Sequence, residues 1–175
     1  FKSIGLGIIW SLLLLSSTLS LRKFYEEDFN SGVIVIIHMR GISYELLVFL
    51  KILSHFLFFQ APFLISIPVA SLLFNLPIYE VYNLMFTFII GSLILSCLSS
   101  ISASMNLLNK ANFSIGGIVV LLFSIPVIIF SVGLNEVVGS DYKSLINILL
   151  GMALIFLGVS PWASAAFIKL ALRNK

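Results

Sequence analysis

The sequence predicts an all-α fold, a polytopic bundle of membrane-spanning helices, and three observations carry that prediction. Of the 175 residues 60% are hydrophobic and only 10% charged, at a mean hydropathy of +1.17. A soluble domain of this size carries roughly 25% charged residues to cover its surface. The apolar residues also come in runs of the length, about 20 residues, that a helix needs to cross a hydrocarbon core. Finally, the charge is concentrated: residues 22–45 hold three of the ten Lys/Arg and four of the seven Asp/Glu. No repeat or low-complexity linker divides the chain, so 1–175 reads as a single transmembrane domain with a cytoplasmic loop over 22–45.

Five segments reach spanning length: 4–21, 46–76, 81–108, 113–134 and 144–168. The second is too long for one straight span. Lys51 near its start is expected to snorkel to the interface, and Pro62 and Pro68 to kink or break the helix. Pro126 and Pro161 make the same case for the fourth and fifth. Orientation follows from the Lys/Arg bias of the connections. With 22–45 inside, Arg22, Lys23, Arg40, Lys51, Lys110, Lys169, Arg173 and Lys175 all fall on the inner side, and only Lys2 and Lys143 outside. That arrangement places short outer loops at 75–80 and 135–143 and Phe1 outside. It leads to the expectation of an N-terminal truncation, with six helices in the intact protein.

Within 22–45, Phe24 and Tyr25 are expected at headgroup depth, with Glu26, Glu27 and Asp28 pointing to water. Asn30 or Ser31 can cap a short helix and Gly32 permits a turn. The apolar run 33–37 is far too short to span. At helical spacing Val33, Ile36 and Ile37 share a face with Arg40, which reads as a short amphipathic helix at the interface or against the bundle. Gly41 can end it, and Ser43 with Glu45 can begin the next span. A solvated loop with an incidental apolar patch stays open as the alternative.

The distribution of chemistry excludes several functions. No Asp, Glu, Lys or Arg occurs in 52–79, 81–109 or 111–135, which argues against a carrier that binds its coupling ion on an intramembrane carboxylate. H-E-x-x-H and G-x-S-x-G are absent, and so is a P-loop, so ATP hydrolysis would fall to a partner subunit. The lone Cys97 forms no intrachain disulfide and no cysteine-based metal site. The basic residues are scattered, unlike a nucleic-acid interface. His55 lies one turn beyond Lys51, with Ser54 and Gln60 nearby. It could be a haem or metal ligand or a proton-relay group, but a histidine with no second ligand at i+3 or i+4 is by default hydrogen-bonded between helices. His38 reads as interfacial. The small and hydroxyl residues of 96–104 and the Gly116-Gly117 pair fit close helix packing, with a polar substrate path as the alternative.

In order along the chain come Gly7-Ile8-Ile9-Trp10, then Leu21-Arg22 with Phe24, then the acidic run to Asp28 and Gly32. Lys51 and His55, Pro62, Asn109-Lys110 ahead of Gly116-Gly117, Ile125-Pro126, and Ser160-Pro161-Trp162-Ala163-Ser164-Ala165-Ala166 follow. In this order and spacing the sequence resembles the CcmB family, the haem exporter protein B of cytochrome c maturation, although 33–39 departs from that family's Leu- and Pro-rich pattern. The resemblance implies an ABC-2-type permease with about six spanning helices, in the bacterial inner membrane or that of some mitochondria. Its implied partners are a CcmA-like ATP-binding subunit and a CcmC-like haem-handling membrane protein, within an oligomeric complex that helps release haem-loaded chaperone. Haem is then a transported or handled ligand. In ABC-2 permeases the cytoplasmic segment after the second helix meets the ATPase, which makes Arg22, Glu26, Glu27, Asp28 and Gly32 the docking candidates and leaves Lys51 and His55 as a possible polar site. Two other classes compete: an ABC-2 permease for a lipid, drug or polysaccharide, and a non-transporting scaffold of a haem-delivery complex.

Overall fold

The computed structural model describes residues 2–73, 77–108, 114–134 and 140–174. Every regular element among them is helical: α1 (Lys2–Asn30), α2 (Val33–Met39), α3 (Tyr44–His55), α4 (Ser66–Leu73), α5 (Ile78–Asn106), α6 (Ser114–Gly133) and α7 (Ser140–Arg173). Four stretches of the described residues are long and apolar enough to cross a membrane, namely Tyr44–Val69, Glu80–Asn106, Ile115–Gly133 and Asp141–Arg173. The expected span 4–21 forms the first part of α1. The architecture is an all-α membrane helix bundle.

α5 is its axis. In its most apolar stretch 72% of residues are buried inside the protein, against 22%, 28% and 22% for the other three spans, which therefore keep broad lipid-facing sides. Small residues explain why α5 can be central: Gly91, Ser92, Ser96, Ser99, Ser100, Ser102 and Ser104 are all buried on it. Without a hydrophobic force between helices in lipid, close backbone approach and dispersion take over, and small side chains permit both. At Gly91 an added Cβ would lie 2.3 Å from Cη2 of Trp10, so α1 lies against α5 through an indole ring seated in a glycine notch. At Gly116 an added Cβ would meet the Asn106 amide at 2.5 Å, while the Gly116 N–H donates to Asn106 Oδ1 at 3.0 Å; this joins the start of α6 to the end of α5.

The ends of the bundle differ. Where α1, α5 and α7 finish and α3 and α6 begin, Lys23, Arg40, Lys51, Lys169 and Arg173 gather; we call this the basic end. The far end is marked by Tyr142 of α7 donating to Asn83 of α5 at 3.3 Å. The junctions expected at 75–80 and 135–143 are shorter than anticipated, because α5 begins at Ile78 and α7 at Ser140. Residues 75, 76 and 135–139, with Phe1, Asn109, Lys110 and Lys175, lie outside the described residues.

Several expectations for 22–45 need correction. Residues 22–30 are not a loop; they continue α1 for more than two further turns, since the sequence there carries neither Pro nor Gly and intrahelical bonds propagate cheaply once formed. Phe24 and Tyr25 pack inside the bundle. The chain reverses at Gly32 (φ 78), which flanks the start of α2 in place of Asn30 or Ser31. Ile34, not Val33 or Ile36, anchors α2: it is fully buried while those two are exposed. As expected, the chain turns again at Gly41 (φ 90), and Ser43 caps α3 by accepting from the Leu46 N–H at 3.3 Å.

Pro62 leaves its mark in the second span without ending it. Phe56–Gln60 winds as a π-helix and Ala61–Ile65 as a 3-10 helix before α4 resumes. A missing N–H and a ring clash are absorbed by widening and then tightening the turn. α6 and α7 run unbroken through Pro126 and Pro161.

Candidate functional site

The polar residues of the basic end converge on about the last four turns of α1. Ser17, Ser20, Phe24 and Asp28 follow one another at spacings of three, four and four, so they form one stripe along the helix. Lys51 and His55, four apart on α3, form the facing stripe. Lys51 pairs with Asp28, and both side chains are only about one-third exposed, at 28% and 33%. The same ammonium donates to the Phe24 carbonyl at 2.8 Å and lies 5.5 Å from the centre of the Tyr25 ring. Lys51 lies at the basic end, near which it is expected to snorkel, with its ammonium held by the protein itself. It latches α3 to the end of α1, where an acid, a carbonyl and an aromatic face stabilise its charge.

His55 sits one turn deeper and is 5% exposed. Its Nε2 is 2.6 Å from Ser20 Oγ and its Nδ1 3.1 Å from Ser96 Oγ, so both ring nitrogens are engaged and one imidazole links α1, α3 and α5. Phe24 and Phe59 pack against the ring at 4.8 and 5.2 Å between centres. Gln60, buried, donates to Ser17 Oγ. The π winding explains how it gets there, because i→i+5 bonding returns Gln60 to nearly the face that His55 occupies. An iron or metal ligand would have to displace one of the two serines. Among the described residues no three His, Cys, Asp or Glu side chains come together to hold a metal ion. Hydrogen bonding between helices, the default for this histidine, is what the geometry displays.

A second chain of hydroxyls joins α1, α5 and α7. Tyr25 Oη lies 2.8 Å from Ser100 Oγ, which lies 3.0 Å from Ser164 Oγ. The outermost link is ionic: Lys169 of α7 donates to Glu45 at 2.7 Å, with Tyr44 beneath its ammonium and His38 stacked on Tyr44 at 4.0 Å.

The three acidic docking candidates do not form one surface. Successive helical residues point about 100° apart, and each carboxylate meets a different environment. Asp28 is held by Lys51. Glu26 is half-buried and lines a cavity of about 210 Å³ with Leu21, Phe29, Ala103, Asn106 and Leu107. Only Glu27 is exposed. Nothing is described of the Arg22 side chain. Gly32 contributes its backbone, its carbonyl accepting from the Val35 and Ile36 N–H groups at 3.1 Å. Lys51 and His55, by contrast, do meet, lining one cavity of about 280 Å³.

Comparison with known proteins identifies the family. The family described as CcmB protein matches residues 1–171. The chain belongs to the CcmB family. Among its relatives is heme exporter protein B of Haemophilus influenzae, 30% identical over 171 residues that cover 96% of this chain and 77% of that protein. The heme exporter protein B of Bradyrhizobium diazoefficiens is 29% identical over 169 residues (95% and 76%), and that of Paracoccus denitrificans 28% over 169 residues (95% and 78%). With its apolar spans, this CcmB-family chain is a multi-pass membrane protein.

Sequence reasoning named Lys51, His55 and Asp28 but missed their partners. Ser20, Ser96, Ser100, Ser164 and Tyr25 were legible only as small or aromatic helix residues. A usable signal existed: Ser96 and Ser100 on one helix and Ser160 and Ser164 on another repeat at i+4, which marks two hydroxyl stripes able to face each other.

Proposed function

We propose that this chain is the membrane-spanning permease subunit of an ABC transporter complex in cytochrome c maturation, with haem as the exported or handled substrate. It works in the bacterial inner membrane, or that of some mitochondria, with a separate CcmA-like ATP-binding subunit and a CcmC-like haem-handling subunit. The observation that carries this reading is the family match through residues 1–171. The basic end supports it, since Lys23, Arg40, Lys51, Lys169 and Arg173 collect there and positive charge marks the cytoplasmic side. The ATPase then meets the elbow between α1 and α3. There Glu27, Ile36 and Met39 of α2, and Arg40 just after it are exposed. Of the three acids, Glu27 is the contact residue and Asp28 a positioning residue. Its bond to Lys51 makes the end of α1 and the start of α3 move together, so displacement of α2 is passed to both helices.

Reversing the charge of Glu27 tests the reading without touching the internal network. In the assembled complex, Glu27→Lys is expected to weaken retention of the ATP-binding subunit about tenfold and to lower c-type cytochrome levels with it. Unchanged retention and cytochrome levels after reversing Glu26, Glu27 and Asp28 together would overturn the docking claim. Normal complex formation, with cytochrome levels indifferent to ATP turnover, would instead establish a scaffold.

A further inference from the structure

The protons of the buried network around His55 can be counted, and the count fixes their positions. Ser20 Oγ has two polar neighbours, the Ser17 carbonyl at 2.8 Å and His55 Nε2 at 2.6 Å. A hydroxyl carries one proton, and a carbonyl oxygen can only accept. The Ser20 proton therefore belongs to the Ser17 carbonyl, a local bond of the kind that helical serines make. Placed anywhere else, it would leave two oxygens facing each other at 2.8 Å with no proton between them. Gln60 donates to Ser17 Oγ and leaves that carbonyl to Ser20. Ser20 Oγ is then the acceptor for His55 Nε2, which carries the ring proton. The unprotonated Nδ1 accepts from Ser96 Oγ at 3.1 Å. Ser20 and His55 are each 5% exposed and Ser96 0%, so the assignment rests on these internal contacts and not on what surrounds the bundle.

We infer that Ser20 is the positioning residue of His55: it holds the ring in the Nε2–H tautomer, which joins α1, α3 and α5 without carrying charge. The links run head to tail, from the Ser96 hydroxyl to His55, from His55 to Ser20, and from Ser20 to the backbone of α1. Two consequences bear on what this histidine does. A relay passes a proton on at every member, and the Ser17 carbonyl has none to pass, so the chain is a tether and not a proton path. A metal or a haem iron needs a nitrogen lone pair; Nε2 has none to give, and that of Nδ1 is taken by Ser96. Charge is kept one turn away, in the pair of Lys51 with Asp28. The inference needs neither the identity of the substrate nor that of the partner subunits.

Nitrogen NMR of the full chain in lipid nanodiscs, with the histidine rings isotopically labelled, reads the tautomer directly; His38→Gln in a parallel sample assigns the two rings. Wild type is expected to show Nε2–H over Nδ1–H at His55 in about ten-fold excess, the discrimination that one unmet buried hydrogen bond provides. Ser20→Ala removes the acceptor and the excess is lost, because Nδ1–H can then donate to Ser96 instead. Ser20→Thr keeps the hydroxyl and retains the excess. Ser96→Ala also retains it, since Ser20 still accepts; a residue with only a packing role would not separate the two serines in this way. Haemin added in equal amount leaves both ring signals of His55 in place. An Nδ1–H tautomer or a doubly protonated ring in wild type overturns the inference, and that spectrum decides the matter even where a variant fails to fold. Loss of the excess in Ser96→Ala as in Ser20→Ala overturns the role of Ser20. Loss of either ring signal on adding haemin would return His55 to iron and overturn the tether.

Discussion

The two ends of the bundle are held together by different physics. At the far end the buried cluster is apolar: Trp10 and Leu13 of α1 pack against Leu84, Phe88, Ile94 and Leu95 of α5, with Val127 and Leu149 from α6 and α7. Trp10 lies 5.6 Å from Phe88 between ring centres and closes over Gly91. Within that cluster shape complementarity is the main attraction, since lipid is as apolar as the cluster, with the Tyr142–Asn83 hydrogen bond beside it. At the basic end the buried cluster includes Phe24, Tyr25, Ile52 and Cys97, and directional links thread it: Asp28 to Lys51, Ser20 to His55 to Ser96, Tyr25 to Ser100 to Ser164. Packing tolerates small slides; hydrogen bonds hold register. The end that we assign to ATPase docking is thus the one whose helices are fixed in register, as transmission of a displacement requires.

The far end breaks most readily at Gly91. Gly91→Ala would place a methyl group 2.3 Å from Cη2 and 2.8 Å from Cζ3 of Trp10. The ring is enclosed and cannot swing away, so α1 must lift from α5 at a cost of about 1–3 kcal/mol. The unfolding midpoint in a mixed-micelle SDS titration measures it. Trp10→Phe in the same background is expected to recover part of the loss, because the smaller ring vacates the notch. An unchanged midpoint for Gly91→Ala would mean that α1 does not rest on α5 here.

The basic end is best broken at its ion pair. Asp28→Lys sets two ammonium groups together at a site only about one-third exposed, and a loss of about 2 kcal/mol is expected, between the values for surface and buried pairs. The exchange Asp28→Lys with Lys51→Asp restores the attraction but not the bond from Lys51 to the Phe24 carbonyl, so recovery is partial. Both proteins are expected to keep the far-end response to Gly91→Ala, since distant sites add. Full recovery in the exchange would assign the latch to charge alone.

How much of this was legible in the sequence divides along the same line. Helix existence and approximate limits follow from apolar length: 4–21 and 144–168 lie within α1 and α7, and 81–108 overruns α5 by two residues. The turns at Gly32 and Gly41 and the Ser43 cap also follow, because each has a local cause within a few residues. The extension of α1 through Asn30 was not legible, because the acidic run 26–28 resembles solvated loop until Lys51, 23 residues on from Asp28, arrives to neutralise it. Likewise Glu26, Glu27 and Asp28 read as one acidic surface, although helical geometry alone would have separated them once that stretch was known to be helix. The partners of His55 lie 35 and 41 residues away, so its role depends on tertiary packing that periodicity does not encode.

The hydroxyl chain offers the finest measurement. Ser164→Ala removes one bond to Ser100, and Tyr25→Phe removes the other. Each is expected to cost about 0.6 kcal/mol, the mean for a side-chain hydrogen bond between membrane helices. The double variant is the informative one. Ser100 Oγ carries a single proton and two lone pairs, so it donates to at most one neighbour and can accept from either. Losing either neighbour lets it reorient towards the one that remains, or towards a carbonyl of its own helix. In the double variant no cross-helix partner is left, and the loss should exceed the sum of the two single losses. Strict additivity would show that Ser100 is not shared, and that α7 is tied to the basic end by Lys169 and Glu45 rather than through the hydroxyl chain.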